Sequence, residues 1–277
     1  MKILENNNNL SDFLENQRVK GPPIALIPTM GSIHLGHISL IEMANKLGFY
    51  TIVSIFVNPT QFNDLNDYHN YPKNIEKDIK LLEKANTKLL FLPSSKDLYP
   101  DGIKSKKLVL SYRNILCDKF RPGHFDGVTT VVNSLFNLIN PDHAFFGEKD
   151  YQQFKLIKKM VENDNSPTHI HSGISIRMKN GMSLSSRYLN FNSLEKNLFN
   201  KTALILVKNI NQLRNEIDDL YLDNIRKEFK KLNINKIDYL EIRDDKQLLP
   251  TDKKNYARLF IAYYINNIRI IDNFILY

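Results

Sequence analysis

Ile24-Ala25-Leu26-Ile27-Pro28-Thr29-Met30-Gly31-Ser32-Ile33-His34-Leu35-Gly36-His37 passes from an unbroken apolar run into a turn rich in Gly and His, and Ile38, Ile41, Ala44 and Leu47 follow at helical spacing. The order is strand, turn, helix. A helix start exposes unpaired backbone N–H groups and roughly half a positive elementary charge, so such a turn favours phosphate. Gly31 and Gly36 allow a close backbone approach, while His34 and His37 share one face of the first helical turn. Two imidazole donors aimed at one phosphate stabilise the charge that develops there during displacement. Two plainer readings of the pair stay open. One is half of a metal site, although neither Cys nor carboxylate lies near enough in sequence to complete it. The other is ordinary surface polarity. Position at a strand-to-helix turn near the N-terminus is what favours phosphate.

Working outward, the β-branched run 51–57 reads as a buried strand, which completes a parallel βαβ unit and ends in Asn58-Pro59-Thr60-Gln61. Ligands of open parallel sheets bind beyond the carboxyl ends of strands, so Asn58 and Gln61 are either site residues beside the histidines or simple turn residues. Upstream, a polar tract at 6–9 precedes an expected helix over 11–20 with Ser11 as its cap. Downstream, Ile75, Ile79 and Leu82 mark a helix that also carries Asp78, residues 89–92 a third strand, and 93–102 a loop. Arg121 to Gly127 reads as a loop entering a helix with Val128, Val131, Leu135 and Ile139 inward. Arg121 there suits a phosphate or carboxylate clamp, or equally a surface ion pair. A fourth strand over 143–146 runs into Gly147-Glu148-Lys149-Asp150 and a further helix, which offers the Lys149 ammonium to phosphates. A strand-like segment over 169–176 leads to a Gly-bearing loop ending in Ser185-Ser186-Arg187, two hydroxyls and a guanidinium. Long helical patterns follow from Ser193, then short strands over 238–243, 257–264 and 268–277.

Several of these strings, in order, carry a resemblance. PTMGSIHLGH (28–37) resembles the signature of the pantoate-beta-alanine ligase (pantothenate synthetase) family, within the HxGH nucleotidylyltransferases related to class I aminoacyl-tRNA synthetases. VNPTQF (57–62) is similar to that family's VNPxQF, and YPDG (99–102), RPGHFDGV (121–128), GEKD (147–150) and RIIDN (269–273) resemble further family segments. SSR (185–187) resembles the family's ATP-closing loop, with two departures: Leu184 replaces the usual Met, and SSRYL stands where the family commonly reads SSRNxYL, two residues longer.

The resemblance implies an ATP-dependent condensation of pantoate with beta-alanine through pantoyl adenylate, releasing AMP and pyrophosphate. It implies that His34 and His37 bind phosphates, His37 also being the proton donor, and that Lys149, Ser185, Ser186 and Arg187 hold the triphosphate. Met30, Gly31, Ser32, Ile33, Leu35, Gly36, Gly147, Glu148, Asp150, Leu184 and the backbone of Ile176 would line the nucleotide pocket. Gln61 and Gln153, with Asn58, would hold pantoate and beta-alanine, and Asp78 would be the acid associated with Mg²⁺. A homodimer is also implied. The α/β fold expected is a Rossmann-like parallel-sheet nucleotide-binding domain over 1–170 with a smaller α+β C-terminal lid domain over 171–277 carrying the SSR loop.

Composition bounds the alternatives. The 277 residues are 42% hydrophobic and 25% charged, as in globular proteins. The net charge of +8 is scattered, with only short clusters such as 104–107 and 230–231, so no nucleic-acid partner is expected. The longest apolar runs fall far short of the ~20 residues that span a bilayer, which argues against a membrane partner. The N-terminus shows no secretory pattern and Cys117 is the sole cysteine, which together lead us to expect a cytoplasmic location. Two rivals stand beside the ligase reading. One is another HxGH enzyme that adenylylates a phosphate acceptor such as phosphopantetheine, which leaves VNPTQF and GEKDYQQ without an account. The other is a non-catalytic RNA-binding relative of the synthetases, whose binding would fall steeply with salt.

Overall fold

The protein is described by a computed structural model over residues 1–102 and 107–277, apart from the side chains of Lys20, Leu65, Asn66 and Asn190; residues 104–106 of the first basic cluster thus lie outside the described residues. In chain order the elements are β1 (Lys2–Leu4), α1 (Asn7–Lys20), β2 (Ile24–Thr29), α2 (Leu35–Lys46), β3 (Tyr50–Ile55), α3 (Leu65–His69), α4 (Ile75–Lys84), β4 (Leu89–Phe91), α5 (Ser95–Leu98), α6 (Leu116–Phe120), α7 (His124–Ile139), β5 (His143–Gly147), α8 (Tyr151–Asn163), β6 (His169–Gly173), α9 (Ser193–Asn215), α10 (Asp219–Lys231), β7 (Ile237–Asp244), β8 (Ala257–Ile265) and β9 (Ile268–Ile275). They form two compact units, one of Met1–Arg113, Arg121–Glu148 and Gln153–Ser175, the other of Asn114–Phe120, Lys149–Gln152 and Ile176–Tyr277.

The first unit is a six-stranded parallel sheet in the order β1-β4-β3-β2-β5-β6. Ile24, Ala25, Leu26 and Ile27 of its central strand are fully buried, as expected where helices cover both faces. Leu40, Ile41 and Ala44 of α2 join Ile27, Val53, Leu82 and Phe145 in the core. Gly173 permits that packing, because a Cβ there would lie 2.1 Å from Leu40 Cδ2. The second unit is an antiparallel sheet β7-β8-β9 backed by α9 and α10, with Phe199, Leu206 and Leu213 meeting Ile225, Phe229, Leu259, Ile261 and Tyr263. This is the expected α/β class, a parallel-sheet portion followed by a smaller α+β portion. Among the described residues no helix is long and apolar enough to cross a membrane.

Several elements differ from expectation. The asparagine tract at 6–9 is the start of α1, with Asn6 rather than Ser11 as its cap, accepting Asn9 N–H at 3.0 Å; Asn suits linkers and N-caps alike. The expected loop 93–102 contains α5, closed by a Ser94/Asp97 capping box. His124, expected in a loop, opens α7, whose preceding Gly123 takes φ 77°. β1 was not expected; three residues pairing with β4 give too short a pattern to read.

Candidate active site

In the first unit, the turn between β2 and α2 is closed on itself. His34 caps α2: its Nδ1 accepts Gly36 N–H at 3.1 Å, and its own N–H donates to His37 Nδ1 at 3.3 Å. The rings stack with centroids 4.1 Å apart and planes 22° apart. Because both Nδ1 atoms accept main-chain hydrogen bonds, the neutral rings carry their protons on Nε2. Gly36 makes room for this pair, since a Cβ there would lie 3.0 Å from His34 Cε1. At the entry, Gly31 (φ 81°) and Ser32 (φ 51°) adopt left-handed conformations. Asp78, buried on α4, pins the entry by accepting Ser32 N–H at 2.8 Å and Ile33 N–H at 2.7 Å. Burial raises its pKa above the ordinary carboxylate value even against these two donors. Met30 and Gly36 are part-buried, and Leu35 is 66% exposed at the first helical position.

The strand-end turn after β3 lies in the same unit. Asn58 is fully buried and its amide is fully used: Nδ2 donates to Gln61 Oε1 (3.3 Å) and Gly127 O (3.1 Å), and Oδ1 accepts from Thr60 and the Tyr99 hydroxyl. Burial pushes that hydroxyl's pKa up to about 12, which keeps it a donor. Gln61 Nε2 donates to Met30 Sδ at 2.7 Å, and a thioether is a weak acceptor that a ligand oxygen can replace. Arg121 and His124 turn inward rather than outward: His124 Nδ1 and Arg121 Nη2 hold the Gln61 carbonyl at 2.7 and 3.2 Å. Gly127 brings α7 against the turn, because a Cβ there would sit 2.5 Å from Thr60 O. Within this unit Gly147 has open space around it, Glu148 accepts Ser172 Oγ–H at 3.1 Å, and Gln153 is part-buried at the start of α8.

In the second unit, Lys149 Nζ lies 3.4 Å from Asp150 Oδ1, and Gln152 is spent internally on Cys117 N–H and Ile115 O. Ile176 O accepts Leu184 N–H at 2.9 Å. Ser185 caps a 3₁₀ turn over Ser186–Asn190, its Oγ accepting Arg187 N–H at 3.3 Å, and Asn192 then caps α9 in a box with Glu195. The shortened SSRYL thus opens with one cap, Ser185, and is followed three residues after Leu189 by a second, Asn192.

Asp78 Oδ2 and Oδ1 each accept one main-chain N–H of the turn, and among the described residues no three His, Cys, Asp or Glu are grouped to hold a metal. Sequence reasoning named Arg121 without a ligand and gave His124 and Gly127 no role. Their signal was the intact RPGHFDGV string.

A model of the family described as pantoate-beta-alanine ligase matches residues 2–275. The pantothenate synthetase of Acetivibrio thermocellus is 38% identical, with 99% of each chain covered. The crystal structure of pantothenate synthetase from Thermus thermophilus superposes with a TM-score of 0.88 at 32% identity over 100% of both chains. That of the Francisella tularensis pantoate-beta-alanine ligase, complexed with beta-gamma ATP and beta-alanine, gives 0.86 at 37% identity over 100% of this chain and 98% of that one. With the βαβ turn, the Gln61 turn and the SSR loop all carried on a fold shared end to end with these proteins, the chain belongs to the pantoate-beta-alanine ligase family.

Proposed function

We propose that this protein condenses pantoate with beta-alanine at the expense of ATP, by the residues just described. In the first step a pantoate carboxylate oxygen attacks the α-phosphorus, the bond to the β-phosphate breaks, and pyrophosphate leaves. In the second the amine of beta-alanine attacks the acyl carbon, loses a proton, and expels AMP. Both steps move charge onto phosphate oxygens, so positioned donors rather than a covalent side chain supply the catalysis.

His34-Leu35-Gly36-His37 is read as the HxGH motif, binding phosphate at the N-terminus of α2. The observation that carries this reading is the His34/His37 box, which puts the Nδ1 atoms on main-chain N–H groups and assigns two N–H donors to the Nε2 atoms. His37 then has the tautomer a proton donor to phosphate requires. Lys149, Ser185, Ser186 and Arg187 are the proposed holders of the triphosphate, with Met30, Gly31, Ser32, Ile33, Gly147, Glu148, Asp150, Ile176 and Leu184 around the nucleotide. Gln61 and Gln153 take pantoate, Gln61 by exchanging the Met30 sulfur for a ligand oxygen. Magnesium enters as part of the substrate MgATP, and Asp78, which also holds the turn, is the acid proposed to be associated with it. The protein is further taken to be a homodimer, as the family resemblance implies, and cytoplasmic without a nucleic-acid partner, as its sequence pattern and scattered charge suggest; light scattering on the purified chain checks the dimer.

AMP release is measured with MgATP while pantoate or beta-alanine is left out in turn. The expected result is release only when all three substrates are present, with pyrophosphate formed once per site when beta-alanine alone is missing. Pyrophosphate release driven by phosphopantetheine instead of pantoate would replace this reading with the adenylyl-transfer one.

A further inference from the structure

The closing RIIDN string (269–273) has no role in the mechanism above, yet two adjacent side chains of it reach both phosphate-type segments of the second unit. Asp272 is 3% exposed. Its Oδ2 accepts Ser183 N–H at 2.7 Å and its Oδ1 accepts Ser183 Oγ–H at 2.6 Å. Arg177 Nη1 lies 3.3 Å from Oδ2, while Arg177 Nη2 donates to Asn273 O at 2.6 Å. Residues 176–184 form a small hairpin, bridged at Arg177 and Ser183 and closed by Met178 N–H to Met182 O at 2.8 Å. Its Gly181 (φ +88°) abuts α9, where a Cβ would meet Val207 Cγ2 at 2.6 Å. Asp272 therefore grips both stems of the hairpin, and the Ser185-Ser186-Arg187 loop begins two residues beyond the gripped Ser183. Two residues reach at most about 7 Å, so fixing Ser183 confines Ser185.

Successive residues of a strand face opposite sides of a sheet, and Asn273 accordingly points the other way. Its Nδ2 donates to Lys149 O at 2.9 Å, and its Oδ1 accepts from Arg258 Nη1 at 2.6 Å, which fixes the amide's orientation. Arg258 lies over the Tyr151 ring at 3.9 Å, two residues past Lys149. One dipeptide on β9 thus sets the main chain of Lys149 from one face and the entry of the serine loop from the other.

We propose that Asp272 and Asn273 are positioning residues of the ATP site, Asp272 holding the Ser185-Ser186-Arg187 loop through Ser183 and Asn273 holding Lys149 through its carbonyl. This rests on the reading of Lys149, Ser185, Ser186 and Arg187 as triphosphate ligands. It differs from a purely structural role in what it predicts for each substrate. Loosening the two segments weakens MgATP and leaves pantoate and beta-alanine alone.

Steady-state kinetics are measured on the full chain for Asp272→Asn, Asn273→Ala and the milder Ser183→Ala, beside Arg187→Ala and Lys149→Ala, with thermal melts of each. The expected result for Asp272→Asn is a KM for MgATP raised about tenfold or more, with the other two KM values within about twofold. In a double-mutant cycle, adding Asp272→Asn to Arg187→Ala changes the MgATP KM by no more than about twofold further, because both act through one loop. Effects that multiply in the cycle, or KM values for all three substrates that rise together, would overturn the proposal. Should Asp272→Asn fail to fold, Ser183→Ala and Asn273→Ala decide by the same criterion. The control variants separate two failures. If Arg187→Ala and Lys149→Ala leave the MgATP KM unchanged, the site reading itself fails; if they raise it while the three positioning variants do not, only the present inference falls.

Discussion

A buried aspartate from far along the chain pins each of the two segments proposed to bind phosphate, but by different means. Asp78 holds the Gly31–Ile33 entry through two main-chain N–H groups, with Lys77 as the charge acting on it, and burial pushes its pKa up. Asp272 holds the 176–184 hairpin through one N–H, one hydroxyl and the guanidinium of Arg177. The His34/His37 box itself is local, since each cap bond spans two or three residues. The second depends on contacts 89 to 95 residues apart. A turn closed locally is preorganised by its own sequence, whereas a loop held from a distant strand is only as well placed as that strand. Aiming donors ahead of the reaction is what avoids reorganisation during it.

The largest expected effect tests the local half of this comparison. His37→Ala removes a proposed transition-state donor and one cap acceptor at a part-buried position, so adenylylation falls about 10²-fold or more while the fold persists. Pyrophosphate release in single turnovers, with circular dichroism beside it, measures both. Near-native release by a folded variant would remove His37 from the mechanism. Gly36→Ala should act more mildly, and more on activity than on stability. A Cβ 3.0 Å from His34 Cε1 displaces the ring, so activity falls about tenfold. Stability changes by no more than about 1 kcal/mol, because the better helix preference of Ala is offset by the weakened His34 cap. Loss of stability together with activity would mean that the turn tolerates no adjustment there.

How far the sequence could be read follows the same division. The strand, turn and helix from 24 to 47 were legible because apolar period, glycines and histidines all lie within one window. So were Asn58 and Gln61 as occupants of a strand end, although the burial of Asn58 was not, since Gly127 and Tyr99 complete its bonds from 69 and 41 residues away. The two-residue shortening after Arg187 was visible as a departure; its resolution into a Ser186–Asn190 turn and the Asn192 cap was not. Asp78 and Asp272 looked alike in sequence, one a helix-face acid and the other part of a closing string. Only tertiary pairing distinguishes a carboxylate held by dipoles from one held by a cation.

The smallest effect sharpens that distinction by pH. Burial raises the Asp78 pKa from 3.8, so between that value and the folded-state pKa the folded protein binds more protons than the unfolded one. By linkage, stability from this group is fully present below 3.8 and is lost as pH rises through the folded-state pKa. Other carboxylates act in the opposite sense, so the readout is the difference between the native protein and Asp78→Asn, measured by urea unfolding. That difference should shift in favour of the native protein on going from about pH 6 to about pH 4. A difference shifting in favour of Asp78→Asn would mean that the Ser32 and Ile33 N–H groups together with the Lys77 charge outweigh burial, and a constant difference that the two effects balance.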